Sequence, residues 1–122
     1  MFLKTFKILI LFLTLLSCSN SEKEFVYEPS KKKNPYILYK QGLESFEQND
    51  FTYASKIFTE AELNFETVEM SAKSAIMSIF CLYSINFYDE ALDNLNRYLK
   101  KYPADKNIIY AHYLIAIIYF EN

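Results

Sequence analysis

Residues 42–61 read GLESFEQNDFTYASKIFTEA, and residues 79–98 read IFCLYSINFYDEALDNLNRY. A shift of 37 residues lays the first stretch on the second. Gly42 falls on Ile79, Phe46 on Tyr83, Asn49 on Asn86, Phe51 on Tyr88, Ala54 on Ala91 and Phe58 on Leu95. The register runs on through Phe65 and Tyr102. It appears a third time in Tyr113, Ala116 and Phe120, which follow Tyr39/Ile76, Gly42/Ile79 and Phe46/Tyr83. A fixed period in this range marks a solenoid of helical hairpins, in which each unit buries its apolar face only against its neighbours. The apolar spacing within each unit predicts five helices: Pro35–Gln48, Phe51–Phe65, Met70–Ile85, Tyr88–Lys101 and Lys106–Phe120. Breaks fall at Asn49-Asp50, around Glu66–Glu69, at Asn86-Phe87 and at Tyr102-Pro103. The last is the firmest, because Pro103 lacks an amide hydrogen and steers Tyr102 away from the α region.

Composition points the same way. In 122 residues, room for one small domain, there are one Gly, three Pro and 52% hydrophobic residues. A single Gly excludes a Gly-rich phosphate loop and disfavours a sheet built on tight hairpins. A net charge of −2 lacks the basic surplus of a nucleic-acid binder. One His and two Cys are too few soft ligands for a four-coordinate zinc site. No metal and no cofactor are expected.

The N-terminal end reads as an address. Lys4 and Lys7 precede the apolar run Ile8–Leu16, which is too short for a bilayer core that needs about 20 helical residues. Leu15-Leu16-Ser17-Cys18 resembles the bacterial lipobox. That resemblance implies a signal peptide over residues 1–17, a diacylglycerol on Cys18 and, with Ser19 following, the periplasmic face of an outer membrane. Residues 18–34 then form a lipidated, polar tether in which Lys31–Lys33 are expected to be solvated, and residues 35–122 form the repeat domain. With Cys18 acylated, Cys81 has no partner in the chain and is expected to be a buried, inert thiol.

Gly42, Phe51, Ala54, Phe58 and Ala61 resemble the small, aromatic and alanine positions of a tetratricopeptide repeat, and Tyr88, Ala91, Leu95, Tyr102 and Pro103 repeat most of them. The small residues serve close crossing of the two helices of a hairpin. The departures are the period of 37 instead of about 34, Ile79 at a small-residue position and Tyr98 at the last alanine position. They predict a longer link between hairpins and looser packing in the second. Together with the lipobox and tether, FYDEALDNLNRYLKKYPAD (Phe87–Asp105) and NIIYAHYLIAIIYFEN (Asn107–Asn122) are similar to the BamD (ComL) family of outer-membrane assembly lipoproteins, over the first half of that family's usual five repeats.

The resemblance implies an all-α, right-handed solenoid of about two and a half antiparallel hairpins. It also implies a non-enzymatic scaffold of the β-barrel assembly machine. The partners would be the barrel assembly subunit, accessory lipoproteins of the machine and unfolded outer-membrane substrates carrying a C-terminal signal, with no nucleic acid. The alternative is another periplasmic tetratricopeptide lipoprotein, serving peptidoglycan synthesis, pilus assembly or envelope coordination.

No catalytic constellation is present. His112, the only His, sits in an apolar run and is expected in the core. Glu60, Glu62, Asp89 and Glu90 read as solvated surface. In tetratricopeptide arrays the first helix of each hairpin lines the concave face. Here that row is Tyr36, Tyr39, Leu43 and Phe46, then Lys73, Ile76, Phe80 and Tyr83, then Tyr110 and Tyr113. Tyrosines suit a groove for an extended peptide, since they offer area with a polar tip. Each of these side chains serves equally as groove lining or inter-hairpin core, with Phe46, Tyr83 and Phe120 leaning to core. The last helix, Ile108–Phe120, is apolar nearly all round. It therefore reads as buried on both sides, either by further repeats beyond Asn122 or by self-association.

Overall fold

Asn49 and Asn86 fix the two hairpins. Both adopt left-handed backbone, at φ 60° and 62°. Asparagine tolerates that region because its short side chain bonds locally. Each follows a helix whose last carbonyls are closed in the same way. Asn49 N–H donates to Phe46 C=O and Asp50 N–H to Ser45 C=O; Asn86 N–H donates to Tyr83 C=O and Phe87 N–H to Leu82 C=O. This is the Schellman ending with Asn in the usual Gly place.

The computed structural model describes residues 32–121. The expected signal segment, Cys18 and the tether as far as residue 31 lie outside them. The described residues form five helices and no strand: α1 Pro35–Glu47, α2 Phe51–Asn64, α3 Val68–Ser84, α4 Tyr88–Lys101 and α5 Ile108–Glu121. Each sits within a few residues of its expected place. Asn34 caps α1 by accepting from Tyr36 N–H, and Asp50 caps α2 by accepting from Tyr53 N–H. Packing is between consecutive helices, α1 on α2, α2 on α3, α3 on α4 and α4 on α5, as in a tetratricopeptide-like stack. The link from α4 to α5 is longer than that from α2 to α3.

The chain's one glycine lies inside a helix and serves close approach. A Cβ at Gly42 would stand 2.7 Å from the fully buried ring of Phe58. Ala54, Phe58 and Cys81 form the core there, with Leu43, Phe46 and Met77 packed against it. In the second hairpin Ile79 holds the Gly42 position and Leu95 the Phe58 position, and both are buried. The α3 and α4 backbones meet closely over less of their length than α1 and α2 do, as the larger Ile79 requires. Tyr98 nonetheless fills its alanine position completely.

Helix α3 is the middle layer. Cys81 faces the first hairpin, while Ala72, Ala75, Ile76 and Ile79 join Ala91, Leu95, Ala111, Leu114 and Ile118 of α4 and α5. Serines satisfy their hydroxyls within this layer: Ser78 donates to Ser55 C=O at 2.9 Å and lies 2.8 Å from the Thr59 hydroxyl.

Glu62 corrects the expectation of a solvated carboxylate. Its side chain is only 5% exposed and accepts from Lys101 Nζ at 2.8 Å and from the Tyr102 hydroxyl at 2.7 Å. The bond from Glu62 raises the Lys101 pKa. The repeat comparison hid this ion pair because it joins the end of one hairpin to the end of the next. His112 is a second correction. It is exposed, because α5 turns Ala111, Leu114 and Ile118 inward and the residue beside Ala111 points away. Phe120, expected to lean to core, is 92% exposed for the same reason.

Asp105 secures the start of α5. It accepts from the Tyr98 hydroxyl and, at 2.9 Å, from Asn107 N–H. Burial works against its charge, yet these donors hold its pKa below the ordinary carboxylate value.

Two outcomes follow from this packing. Gly42→Val is expected to lower stability by about 2 kcal/mol in urea denaturation, through overpacking against Phe58, with part of the loss recovered when Phe58→Leu is added. A depressed carboxylate pKa contributes stability that is present above the unfolded-state value of about 3.9 and is lost as pH falls through the folded value. The urea midpoint should therefore drop below about pH 4, and Asp105→Asn should be less stable at neutral pH with a shallower acid fall.

Candidate functional site

The first helices of the hairpins, α1, α3 and α5, alternate with antiparallel partners and so run in one direction. Side chains at the same repeat position therefore line up across the stack. Phe46 of α1 lies 5.8 Å from Phe80 of α3, and Phe80 lies 6.3 Å from Tyr83. On α5, Tyr110 and Tyr113 are 6.3 Å apart, with Tyr83 close enough to act on the phenol of Tyr110. At the other end of the face, Lys73 Nζ stands 5.3 Å from the ring centre of Tyr39. Rings on α1, α3 and α5 thus fall into two groups, Phe46, Phe80 and Tyr83 with the α5 tyrosines, and Tyr39 with Phe58, Phe65 and Lys73, half-buried on α1 and α3 and exposed on α5.

The residues singled out from the sequence divide. Tyr39, Phe80, Tyr83, Tyr110, Tyr113 and Lys73 lie on this face. Leu43 is half-buried against the Ala54–Phe58–Cys81 core. Ile76 is only 6% exposed and belongs wholly to the second core. Tyr36 sits elsewhere, edge-on to Phe65 at 5.1 Å. It borders a cavity of about 460 Å³ between the start of α1 and the α2–α3 link, which Lys32, Lys33 and Glu66 also line. Lys32 pairs there with Glu66 and Lys33 with Glu60, both at 2.7 Å.

Two members of the face were missed. Tyr88 stacks 5.9 Å from Tyr83, and both hydroxyls donate to the carboxylate of Glu121, at 3.0 Å and 3.3 Å. Burial first, and then the neighbouring Glu121, raises both phenol pKa values. The signal for Tyr88 was in the repeat: its equivalent Phe51 packs 5.3 Å from Phe46, so the same pair occurs twice, 37 residues apart. Nothing in the sequence announced Glu121, which meets Tyr83 only through the stacking of α5 on α3.

The face offers aromatic area, phenol tips, one cation and one carboxylate. Cys81, as expected, is fully buried, and burial pushes its thiol up to about 12. No group of three or more potential metal ligands occurs among the described residues. No helix among them is long and apolar enough to cross a membrane.

Five helices packed in consecutive antiparallel hairpins define a tetratricopeptide-like helical solenoid. The outer membrane lipoprotein family model (YfiO) matches residues 31–122, and the chain belongs to that family. It is 30% identical over 111 residues to the outer membrane protein assembly factor BamD of Caulobacter vibrioides, covering 89% of this chain and 35% of the relative. It is 29% identical over 83 residues to the factor of the same name in Rickettsia prowazekii, covering 68% of this chain and 33% of the relative. The chain thus spans about a third of the length of these curated relatives. No solved structure matches it.

Glu121→Gln is expected to lower the phenol pKa values of Tyr83 and Tyr88. An NMR titration of tyrosine-labelled protein reads this directly.

Proposed function

We propose that this chain is a non-enzymatic scaffold lipoprotein of the outer-membrane β-barrel assembly machine. It is anchored through acylated Cys18 at the periplasmic face. Its partners are the barrel assembly subunit, accessory lipoproteins of the machine and unfolded barrel substrates. The observation that carries this reading is family membership over residues 31–122, joined to two relatives named as outer membrane protein assembly factors. The aromatic face supplies the physical means, because rings with polar tips bind extended chains with alternating apolar residues at low ordering cost.

Affinity purification through a C-terminal tag from detergent-solubilised outer membranes, with intact mass on the same sample, tests it. The barrel assembly subunit is expected to co-purify, and the mass should carry the acyl chains on Cys18. Recovery of peptidoglycan or pilus factors alone would overturn the assembly role and leave only the repeat scaffold.

A further inference from the structure

We propose that two copies of this chain pair through α5, antiparallel to each other, on the side of that helix that faces away from the core.

Four exposed residues form a single stripe on that side: Ile109, Tyr113, Ala116 and Phe120. At about 100° per residue they share one line along the helix. That line lies opposite Ala111, Leu114 and Ile118, which are buried in the core with α3 and α4. Ile109 is 84% exposed, Tyr113 57% and Phe120 92%, with Tyr119 at 71% beside them. No Asp, Glu, Lys or Arg interrupts the helix from Ile108 to Phe120. An apolar patch of this extent marks an interaction site. The equivalent stripe on α3 is Ala72, Ile76, Ile79 and Tyr83, and it packs in the core shared with the antiparallel helix α4. The repeat therefore shapes this side of α5 for an antiparallel apolar helix.

A second α5 meets that requirement because the stripe is its own complement. Its spacing of four, three and four residues is the spacing by which two helices interlock side chains, and it reads the same in both directions. A two-fold axis passing between Leu114 and Ile115 sets Ile109 of each copy against Phe120 of the other, and Tyr113 against Ala116. The small Ala116 leaves room for the Tyr113 ring, as close helix crossing needs. Charge selects the direction. Lys106 stands just before α5 and Glu121 ends it, both exposed. Antiparallel pairing brings Lys106 of each copy toward Glu121 of the other and sets opposed helix dipoles side by side. Parallel pairing would bring Glu121 to Glu121. The area is also adequate. Ile109, Tyr113, Tyr119 and Phe120 together expose on the order of 500–600 Å² per copy, most of the roughly 800 Å² that each partner gives to a standard stable interface.

Sedimentation equilibrium of the full chain in density-matched detergent should give twice the mass of one chain. Ala116→Glu places a carboxylate at the centre of the pair and should weaken association about a hundredfold or more. Its helical circular dichroism should be unchanged, because position 116 faces outward. Chains carrying Ile109→Cys and Phe120→Cys, mixed and treated with a short bis-maleimide, should join position 109 of one copy to position 120 of the other. Cys81 is fully buried and does not compete. A single-chain mass at every concentration would overturn the proposal, whether detergent or another protein then covers α5, and so would an open-ended series of larger masses. A dimer that survives Ala116→Glu, or cross-links confined to like positions, would overturn the antiparallel pairing through α5.

Discussion

The contact between Phe58 and the backbone of Gly42 sets the geometry of the first hairpin. A fully buried ring occupies the space where any other residue at position 42 would carry its Cβ. The two helices can therefore approach closely, and Ala54 and Ala61 keep the rest of the crossing equally narrow. Burying one such ring is worth about 1.5–3 kcal/mol. The same ring also touches Cys81, so closing the hairpin prepares the surface on which α3 packs.

From α3 outward the stack is carried by alternation of small and large residues. Ser78 on α3 meets α2 on one side, while Ala72, Ala75, Ile76 and Ile79 meet α4 and α5 on the other. Glu62, Lys101 and Tyr102 then tie the ends of the two hairpins together. A carboxylate that deep is tolerated because both donors satisfy it, and removing one would leave a desolvated charge. The aromatic face follows from this stacking. Parallel first helices bring Phe46, Phe80 and Tyr83 into one row, and α5 adds Glu121 to it.

Helix α5 differs from its two equivalents. Ala111, Leu114 and Ile118 are packed on α3 and α4, but Ile109, Tyr119 and Phe120 face outward. Its Ala116 holds the position at which Gly42 and Ile79 meet a second helix, and is itself exposed. The sequence pattern called for burial on both sides of this helix, and among the described residues one side is covered.

The sequence alone determined the class of the protein. The 37-residue period, the paired Asn49 and Asn86, and Pro103 located five helices and three of the four turns to within a residue or two, because these features act through local backbone preference and through burial that repeats. The small-residue positions were equally legible, since close helix crossing allows few side chains. What the repeat could not express was decided by tertiary structure. Ile76 went to the core and Tyr36 to a separate hollow, His112 and Phe120 turned outward, and Glu62 and Glu121 found partners about 40 residues away. Those outcomes depend on how far each helix is rotated about its own axis when its neighbours pack. A shift of 100° per residue separates core from surface, and no local pattern in a helix as uniformly apolar as α5 specifies that angle.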